Sequence, residues 1–211
     1  PVERFGLTWP LVTKADGGKF GKTESGAVWL TADRTSPYAF YQFWLNAADA
    51  DVAKFLRTFT LMPREEIERL EAAHAANPGA REAHRALAQH MTTLLHGREQ
   101  MELAEKAAKA LFSGDIADLP PATLEEALAG APSSAHDPAL LSPGLPLVEF
   151  LVTTGLASSK REAREFLGNG SVAVNGRKAG PDDTLTAADL IQGRLIALRR
   201  GKKNWHLTRW G

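Results

Sequence analysis

Helical periodicity dominates the chain from residue 36 onward for about ninety residues. Ser36-Pro37 predicts the first helix start, because a serine oxygen caps free N–H groups and proline is tolerated in the first turn. Asp49 is expected to cap a second helix, and further helices are expected from Pro63 and from about Arg81, the last with a candidate break at Gly97. A capping box from Thr123 to Glu126 predicts a final short one. The aromatic residues of the first two helices recur at helical spacing, which favours packing over stacking on nucleobases; they are Tyr38, Tyr41, Phe43, Trp44 and Phe55.

The C-terminal part has a different pattern, in which short helices precede strands. Ser158 or Ser159 predicts a helix start, Gly168-Asn169-Gly170 predicts its end, and Asn175-Gly176 is a strong signal for a two-residue hairpin. The fold class predicted is α+β: a helical domain over 35–130, a linker over 131–144 that is rich in Pro, Ser and Ala, and a small domain of helices and antiparallel sheet over 145–211. Residues 1–34 hold two short apolar runs that read as strand-loop-strand.

The composition excludes a few kinds of site and shows an uneven distribution of charge along the chain. The chain has no cysteine, which excludes disulfides and thiolate metal sites, and no apolar run approaches the roughly 20 residues of a membrane-spanning helix. We therefore expect a cytoplasmic protein without membrane contact. The net charge is zero, but residues 143–211 carry 11 Lys+Arg against 6 Asp+Glu, an excess that favours an anionic partner such as nucleic acid.

The loop "DGGKFGKTESG", Asp16 to Gly26, resembles a phosphate-binding P-loop only superficially. The glycine that must stand five residues before Gly21 is replaced by Asp16, and the sequence after the loop predicts a strand instead of the required helix. The remaining feature is a glycine-rich loop with Lys19 and Lys22, which could place two ammonium groups on a polyanion. A solvated hairpin tip is the alternative.

Histidines recur in the helical domain at a spacing of six residues, at His84, His90 and His96. Six residues turn a helix by about 600°, so consecutive members of this series point to different faces. A helical metal pair requires a spacing near three or four. No metal site is therefore expected.

Basic residues in the C-terminal part cluster on one helix and at two turns. Such cations at element ends can converge to follow an RNA backbone, while a generic solubilising surface is the alternative. The candidate RNA contacts are Lys160, Arg161, Arg164, Arg177, Arg200, Lys202 and Lys203.

Two stretches resemble known families. "SSKREAREFLGNGSVAVNGRKA" resembles the RNA-binding domain named after ribosomal small-subunit protein four, which implies RNA binding by this helix and hairpin. "FGLTWPLVTKADGGKFGKTESGAVWL" with "TSPYAFYQFWLNAADADV" resembles bacterial tyrosyl-tRNA synthetases, and Lys19-Phe20-Gly21-Lys22-Thr23 matches the second signature loop of class I synthetases. The resemblance implies that Lys19 and Lys22 stabilise the triphosphate of ATP as catalytic residues, that Thr23 also binds ATP, and that 35–130 bind the anticodon side of tRNA.

The same resemblance implies a partial enzyme. The nucleotide-binding motif and tyrosine pocket of the family are absent, so residues 1–34 are expected to end a catalytic domain that precedes residue 1. The expected partners are tRNA(Tyr), with tyrosine and ATP, accompanied by Mg, as substrates of a full-length homodimer. The fragment alone is expected to be inactive, to bind no cofactor and to be monomeric. A free-standing, ribosome-associated RNA-binding protein without catalysis is the alternative.

Overall fold

The computed structural model describes residues 4–8, 11–18, 20 and 28–211. The chain forms two compact units, Pro1–Met101 and Glu102–Gly211, and the division falls inside a helix. Within the described residues, no helix has the length and apolar character needed to cross a membrane. The fold combines helices with a mixed sheet, which confirms the predicted α+β class.

The first unit is built on helices whose limits follow local signals. The Ser36 hydroxyl accepts a hydrogen bond from the Ala39 N–H at 3.2 Å and starts the first helix as predicted, and Gly97, at φ +85°, separates the fourth helix from the fifth. Buried apolar side chains on the inward faces, including Phe40, Val52 and Leu87, form the core. The helices of this unit are α1 (Pro37–Leu45), α2 (Asp49–Phe59), α3 (Arg64–Ala76) and α4 (Glu82–His96), and the next helix, α5 (Arg98–Ser113), begins in this unit and continues into the second.

Two predicted helix starts are wrong. The N-cap of α2 is Ala48 and not Asp49, whose carboxylate lies instead within 3.2 Å of His84 Nε2. The sixth helix, α6 (Pro121–Ala127), begins two residues before the predicted cap Thr123. Pro121 sets that start, because its fixed φ suits the first helical position and its missing N–H needs no acceptor there.

The second unit contains a five-stranded sheet in the order β1-β7-β6-β3-β4. One face carries α7 (Leu147–Thr153) and α8 (Lys160–Gly168), whose apolar side chains share a core with Val172, Val174 and Leu198. A small pair of β2 (Leu145–Pro146) and β5 (Thr184–Leu185) lies apart from this sheet. The strands of the main sheet are β1 (Ser133–His136), β3 (Val172–Val174), β4 (Arg177–Lys178), β6 (Leu195–Arg200) and β7 (Asn204–Trp210).

The predicted hairpin at Asn175-Gly176 is confirmed between β3 and β4. Both residues have positive φ, +49° and +90°, as a tight two-residue turn requires. The turn is packed against the end of α5: a Cβ added to Gly176 would lie 1.8 Å from the carbonyl oxygen of Gly114. The second unit therefore includes a backbone contact between this turn and the segment that follows α5.

The stretch predicted to be an irregular linker contributes a strand. β1 pairs in parallel with β7, which makes the sheet mixed and not wholly antiparallel as expected. Ser134 Oγ lies 2.7 Å from His136 Nε2 and 2.8 Å from His206 Nε2, so a side-chain network ties β1 to its neighbour. The sequence of β1, Ser-Ser-Ala-His, carries no apolar alternation that predicts a strand.

The described parts of residues 1–34 form no strand longer than a single bridge residue, which contradicts the expected strand-loop-strand there. Leu7 and Leu30 are exposed, and no adjacent strand among the described residues pairs with either segment. Short extended segments need such a partner to persist, which explains the difference. The remaining residues of the two predicted strands lie outside the described part.

Candidate nucleic-acid interface

The lysine loop of the first unit is anchored through Phe20. Its half-buried ring lies between the first two helices, with centroid distances of 5.0 Å to Phe55 and 4.7 Å to Phe59 and a stacked approach of 5.7 Å to Trp44. The aromatic residues of α1 and α2 therefore pack together as expected from their spacing. Lys19, Lys22 and Thr23 themselves lie outside the described residues.

The segment before Phe20 is also held against the helices. Lys54 of α2 donates from Nζ to the Thr13 carbonyl oxygen at 2.6 Å and to Thr13 Oγ1 at 3.2 Å, and the Phe20 N–H donates to the Val12 carbonyl at 3.1 Å. An open cleft of about 600 Å³ borders this segment, with Phe20 and Asn46 among its lining residues. One side of the signature loop thus has a fixed attachment to α2.

The basic helix α8 is formed as its sequence predicts. Ser159 Oγ accepts from the Glu162 N–H at 3.2 Å, and Glu162 in turn accepts from the Ser158 N–H and hydroxyl at 2.5 and 2.6 Å. These hydrogen bonds lower the pKa of Glu162, which keeps the capping carboxylate ionised. The cap therefore fixes the position from which the basic side chains of α8 project.

The three cations of α8 differ in their surroundings. Lys160 forms an ion pair with Glu149 of α7 and lowers the pKa of that carboxyl group, to which Arg164 adds a weaker attraction. Arg161 is exposed, with no ion pair or hydrogen bond to any side chain in the described part of the chain. Arg161 and Arg164 remain exposed to an external phosphate, whereas Lys160 has an internal anion.

Arg200 points to the core side of the sheet. It pairs with Val172 across β3 and β6, so it lies on the face of Val172 and Val174 and not on the opposite one. Its guanidinium donates to the Leu156 carbonyl at 2.7 Å and lies 4.8 Å from the Phe166 ring centroid. Arg200 is half-buried, and its guanidinium is engaged by contacts within the protein and is not free at the surface.

Arg177 has two internal anions. It lies 3.1 Å from an Asp183 carboxylate oxygen and 3.8 Å from one of Asp189, both in the segment after the hairpin.

The turn after β6 is different, since Lys202 and Lys203 are exposed and make no ion pair with a described residue. Among the predicted cations, the freest are therefore Arg161, Arg164, Lys202 and Lys203.

Strand alternation brings together residues outside the predicted set of RNA contacts. Lys178, Ala173, Arg199 and Trp205 occupy one row across β4, β3, β6 and β7, and paired residues share a face. Arg199 is stacked 5.1 Å from the Trp205 ring centroid. The signal that separates Arg199 from Arg200 is the period-two alternation of β6, which places neighbouring residues on opposite faces.

Trp205 also borders an open cleft of about 470 Å³ in the second unit, which Lys203 and Asn204 share. An aromatic ring beside lysines is the arrangement on which single-stranded bases stack while the ammonium groups meet phosphates. The exposed turn thus carries the side-chain types that both kinds of contact use.

Comparison with known proteins assigns both parts of the chain. Residues 2–113 match the family model described as tRNA synthetases class I (W and Y), and residues 124–208 match that of the tyrosine–tRNA ligase SYY-like C-terminal domain. A tyrosine–tRNA ligase of Bacillus caldotenax is 49% identical over 207 residues, and tyrosine–tRNA ligase 1 of Bacillus licheniformis is 51% identical over 207.

Each of these two alignments covers 98% of this chain and 48% of the relative, so the chain spans about half the length of the curated relatives it matches. A solution structure of a tyrosyl-tRNA synthetase C-terminal domain is 43% identical and covers 48% of this chain and all of its own, at a TM-score of 0.37 that carries no weight for the fold. On the family models and sequence identities, the chain belongs to the class I tRNA synthetases, and within them to the tyrosyl-tRNA synthetases.

Proposed function

We propose that this chain is the tRNA-binding C-terminal part of a tyrosine–tRNA ligase. Residues 35–130 bind the anticodon side of tRNA(Tyr), and residues 145–211 hold its long variable arm and the neighbouring backbone. The observation that carries this proposal is the group of exposed cations in the second unit that have no internal ion pair, at Arg161, Arg164, Lys178, Lys202 and Lys203.

The contrast with the first unit supports this assignment. There, Arg57, Arg64 and Arg69 are each engaged by glutamates at 2.5 to 2.8 Å, so those arginines stabilise the helices electrostatically among themselves. A cation that is not neutralised internally releases counterions when it meets a phosphate, and this release supplies affinity for nucleic acid. The net positive charge of residues 143–211 acts in the same direction.

The complete enzyme uses ATP to form tyrosyl-adenylate and then transfers tyrosine to the 3′ end of the tRNA. Lys19 and Lys22 stabilise the charge that develops on the triphosphate, with Thr23 beside them and Mg accompanying the nucleotide. Support comes from Phe20 of this loop, whose ring packs against α1 and α2. The isolated chain forms no adenylate, and dimerisation and a cytoplasmic location belong to the complete protein in this proposal.

Filter binding of the 211-residue chain to tRNA(Tyr) at several salt concentrations tests the RNA claim. Replacing both Lys202 and Lys203 by alanine is expected to weaken binding and to reduce the slope of log K against log salt by about 1 to 2, close to one unit per lost phosphate contact. A tRNA with a shortened variable arm is expected to bind more weakly to the wild-type chain. Equal affinity for both RNAs would contradict the variable-arm assignment.

Arg4→Ala is the matched control for loss of positive charge. Arg4 is exposed and lies outside both proposed tRNA-binding ranges, 35–130 and 145–211, so its removal changes the net charge without affecting the proposed interface. It is expected to leave the salt slope unchanged.

In the complete enzyme, Lys19→Ala and Lys22→Ala are each expected to slow adenylate formation while the affinity for tRNA is preserved. A normal rate of adenylate formation in these variants would contradict the assignment of the loop.

A further inference from the structure

Three helices of the first unit bring a carboxylate and two imidazoles together. Asp49 is the first residue of α2, His74 lies in the last turn of α3, and His84 lies in the first turn of α4. One nitrogen of each imidazole and one Asp49 carboxylate oxygen all lie within 4.8 Å of one another. None of the three is among the cations proposed to contact RNA, and none belongs to the signature loop.

Both imidazoles are fixed through Nε2 by oxygen atoms. His74 Nε2 lies 3.0 Å from the Asp49 carbonyl oxygen, and His84 Nε2 lies 3.1 Å from that of Ala47 and 3.2 Å from Asp49 Oδ1. Carbonyl and carboxylate oxygens only accept, so in each neutral ring Nε2 carries the hydrogen and Nδ1 carries the free lone pair.

The two Nδ1 atoms are buried and have no hydrogen-bond donor among the described residues. The His84 side chain is 0% exposed, and an unpaired acceptor at that depth is unfavourable. One nitrogen of each ring and a carboxylate oxygen, all within 4.8 Å of one another, are instead a ligand set for a divalent cation.

The hydrogen bonds to the backbone resemble the support that metal-ligating histidines normally have. A ligating imidazole almost always donates its other N–H to a carbonyl or carboxylate, which fixes the ring and its tautomer. Both rings already have such an acceptor. Asp49, with 60% of its side chain exposed at the helix start, is free to adjust its carboxylate toward the rings.

We propose that Asp49, His74 and His84 form a binding site for a first-row divalent cation such as Zn²⁺, which links the starts of α2 and α4 to the end of α3. Imidazole nitrogen with one carboxylate suits zinc, cobalt or nickel better than calcium or magnesium, which prefer oxygen ligands. Arg81, whose Nη1 lies 3.9 Å from Asp49 Oδ1, opposes the cation and limits its affinity. The site is structural and shares no residue with the cations proposed to contact RNA.

Calorimetric titration of the tag-free 211-residue chain with Zn²⁺ alone, and absorption spectroscopy with Co²⁺ alone, test this site. One equivalent is expected to bind and to raise the thermal unfolding temperature, because the ion binds the folded state only. Asp49→Asn and His74→Gln are each expected to weaken binding by more than about 10-fold, as loss of a ligand does. Circular dichroism checks that both variants fold.

His90→Gln is the matched control, since His90 also lies on α4 but outside the cluster. It is expected to bind Zn²⁺ within about 2-fold of the wild type, a change of under half a kcal/mol. If His90→Gln weakened Zn²⁺ binding as much as the variants of the cluster do, the ion would be bound by scattered histidines and the proposal would be overturned. The absence of Zn²⁺ binding by the wild-type chain would also overturn it.

Ring ¹⁵N chemical shifts of the wild-type chain provide a second measurement that needs no variant. Zn²⁺ is expected to move the signals of one ring nitrogen of His74 and one of His84 and to leave those of His90 in place. If a water molecule occupies the site instead of a metal ion, no ring signal will move on addition of Zn²⁺, and the metal site is refuted.

Discussion

The ring of Phe20 lies 4.7 Å from the ring of Phe59, so a residue of the signature loop is packed against the last residue of α2. The aromatic contact connects the loop proposed to meet ATP with a helix of the domain proposed to bind tRNA. Phe20 is therefore a point at which the loop is attached to α2.

Phe20→Ala is expected to lower the free energy of unfolding of the first unit by about 1 to 3 kcal/mol, less than the loss at a fully buried phenylalanine because the ring is half-exposed. Urea unfolding followed by circular dichroism measures this loss. Phe5→Ala removes a ring that is 89% exposed and is expected to have almost no effect. Equal stability of the two variants would show that the aromatic contacts of Phe20 contribute nothing.

Gly176→Ala is expected to destabilise the second unit more than Gly155→Ala. Both glycines have positive φ, +90° and +72°, so each alanine carries a similar backbone strain of about 1 kcal/mol. Only at Gly176 does the added Cβ meet another atom, 1.8 Å from the Gly114 carbonyl oxygen, whereas nothing lies within 4 Å at Gly155. The difference between the two unfolding midpoints thus measures the contact between the hairpin turn and the end of α5, and identical midpoints would deny that contact.

Acidification below neutrality is expected to destabilise the second unit. Burial lowers the pKa values of His136 and His206 from 6.5, and for His206 the neighbouring His136 adds to the effect. The folded state then binds fewer protons than the unfolded state, so stability is complete above about pH 6.5 and declines as the pH falls through the lower folded pKa values. Urea midpoints at pH 7.5, 6.5 and 5.5 measure the decline, which His136→Gln is expected to reduce. A midpoint that rises on acidification would contradict this assignment.

Glu125→Gln is expected to loosen α6 from the sheet. Glu125 accepts from Arg194 at 2.5 Å and from Arg209 at 3.0 Å, and its side chain is 28% exposed, so the loss is expected to be about 1 kcal/mol and smaller at high salt. Limited proteolysis after Ala127 reports the loosening directly. Glu126→Gln, on the next residue of the same helix, is the control and is expected to be cut at the wild-type rate.

Much of the architecture could be predicted because local signals determined it. Ser36 and Ser159 cap their helices, Gly97 breaks one, and Asn175-Gly176 makes its turn, all through interactions within a few residues. β1 could not be predicted, since its pairing partner is about seventy residues away and its own sequence lacks a strand pattern.

The arrangement of the candidate site likewise depends partly on spacing within one element and partly on contacts between elements. Spacing along α4 predicts that His84 and His90 point to different faces, but it could not reveal that His84 meets His74 and Asp49 from other helices. The inward direction of Arg200 depends on strand register, which pairs it with Val172. Residue type alone identifies the cations, whereas tertiary packing decides which of them remain free for RNA.

The parallel pairing of β1 with β7 has a practical consequence for anyone who shortens this protein. A fragment that starts at residue 145 omits Ser133–His136 and leaves the outer N–H and C=O groups of β7 without their partner. An edge strand with unpaired N–H and C=O groups can pair with a strand of another chain, so such a fragment would tend to self-associate. Cutting before residue 131 retains the protective strand and keeps the part proposed to bind RNA in a form suitable for dilute-solution measurements.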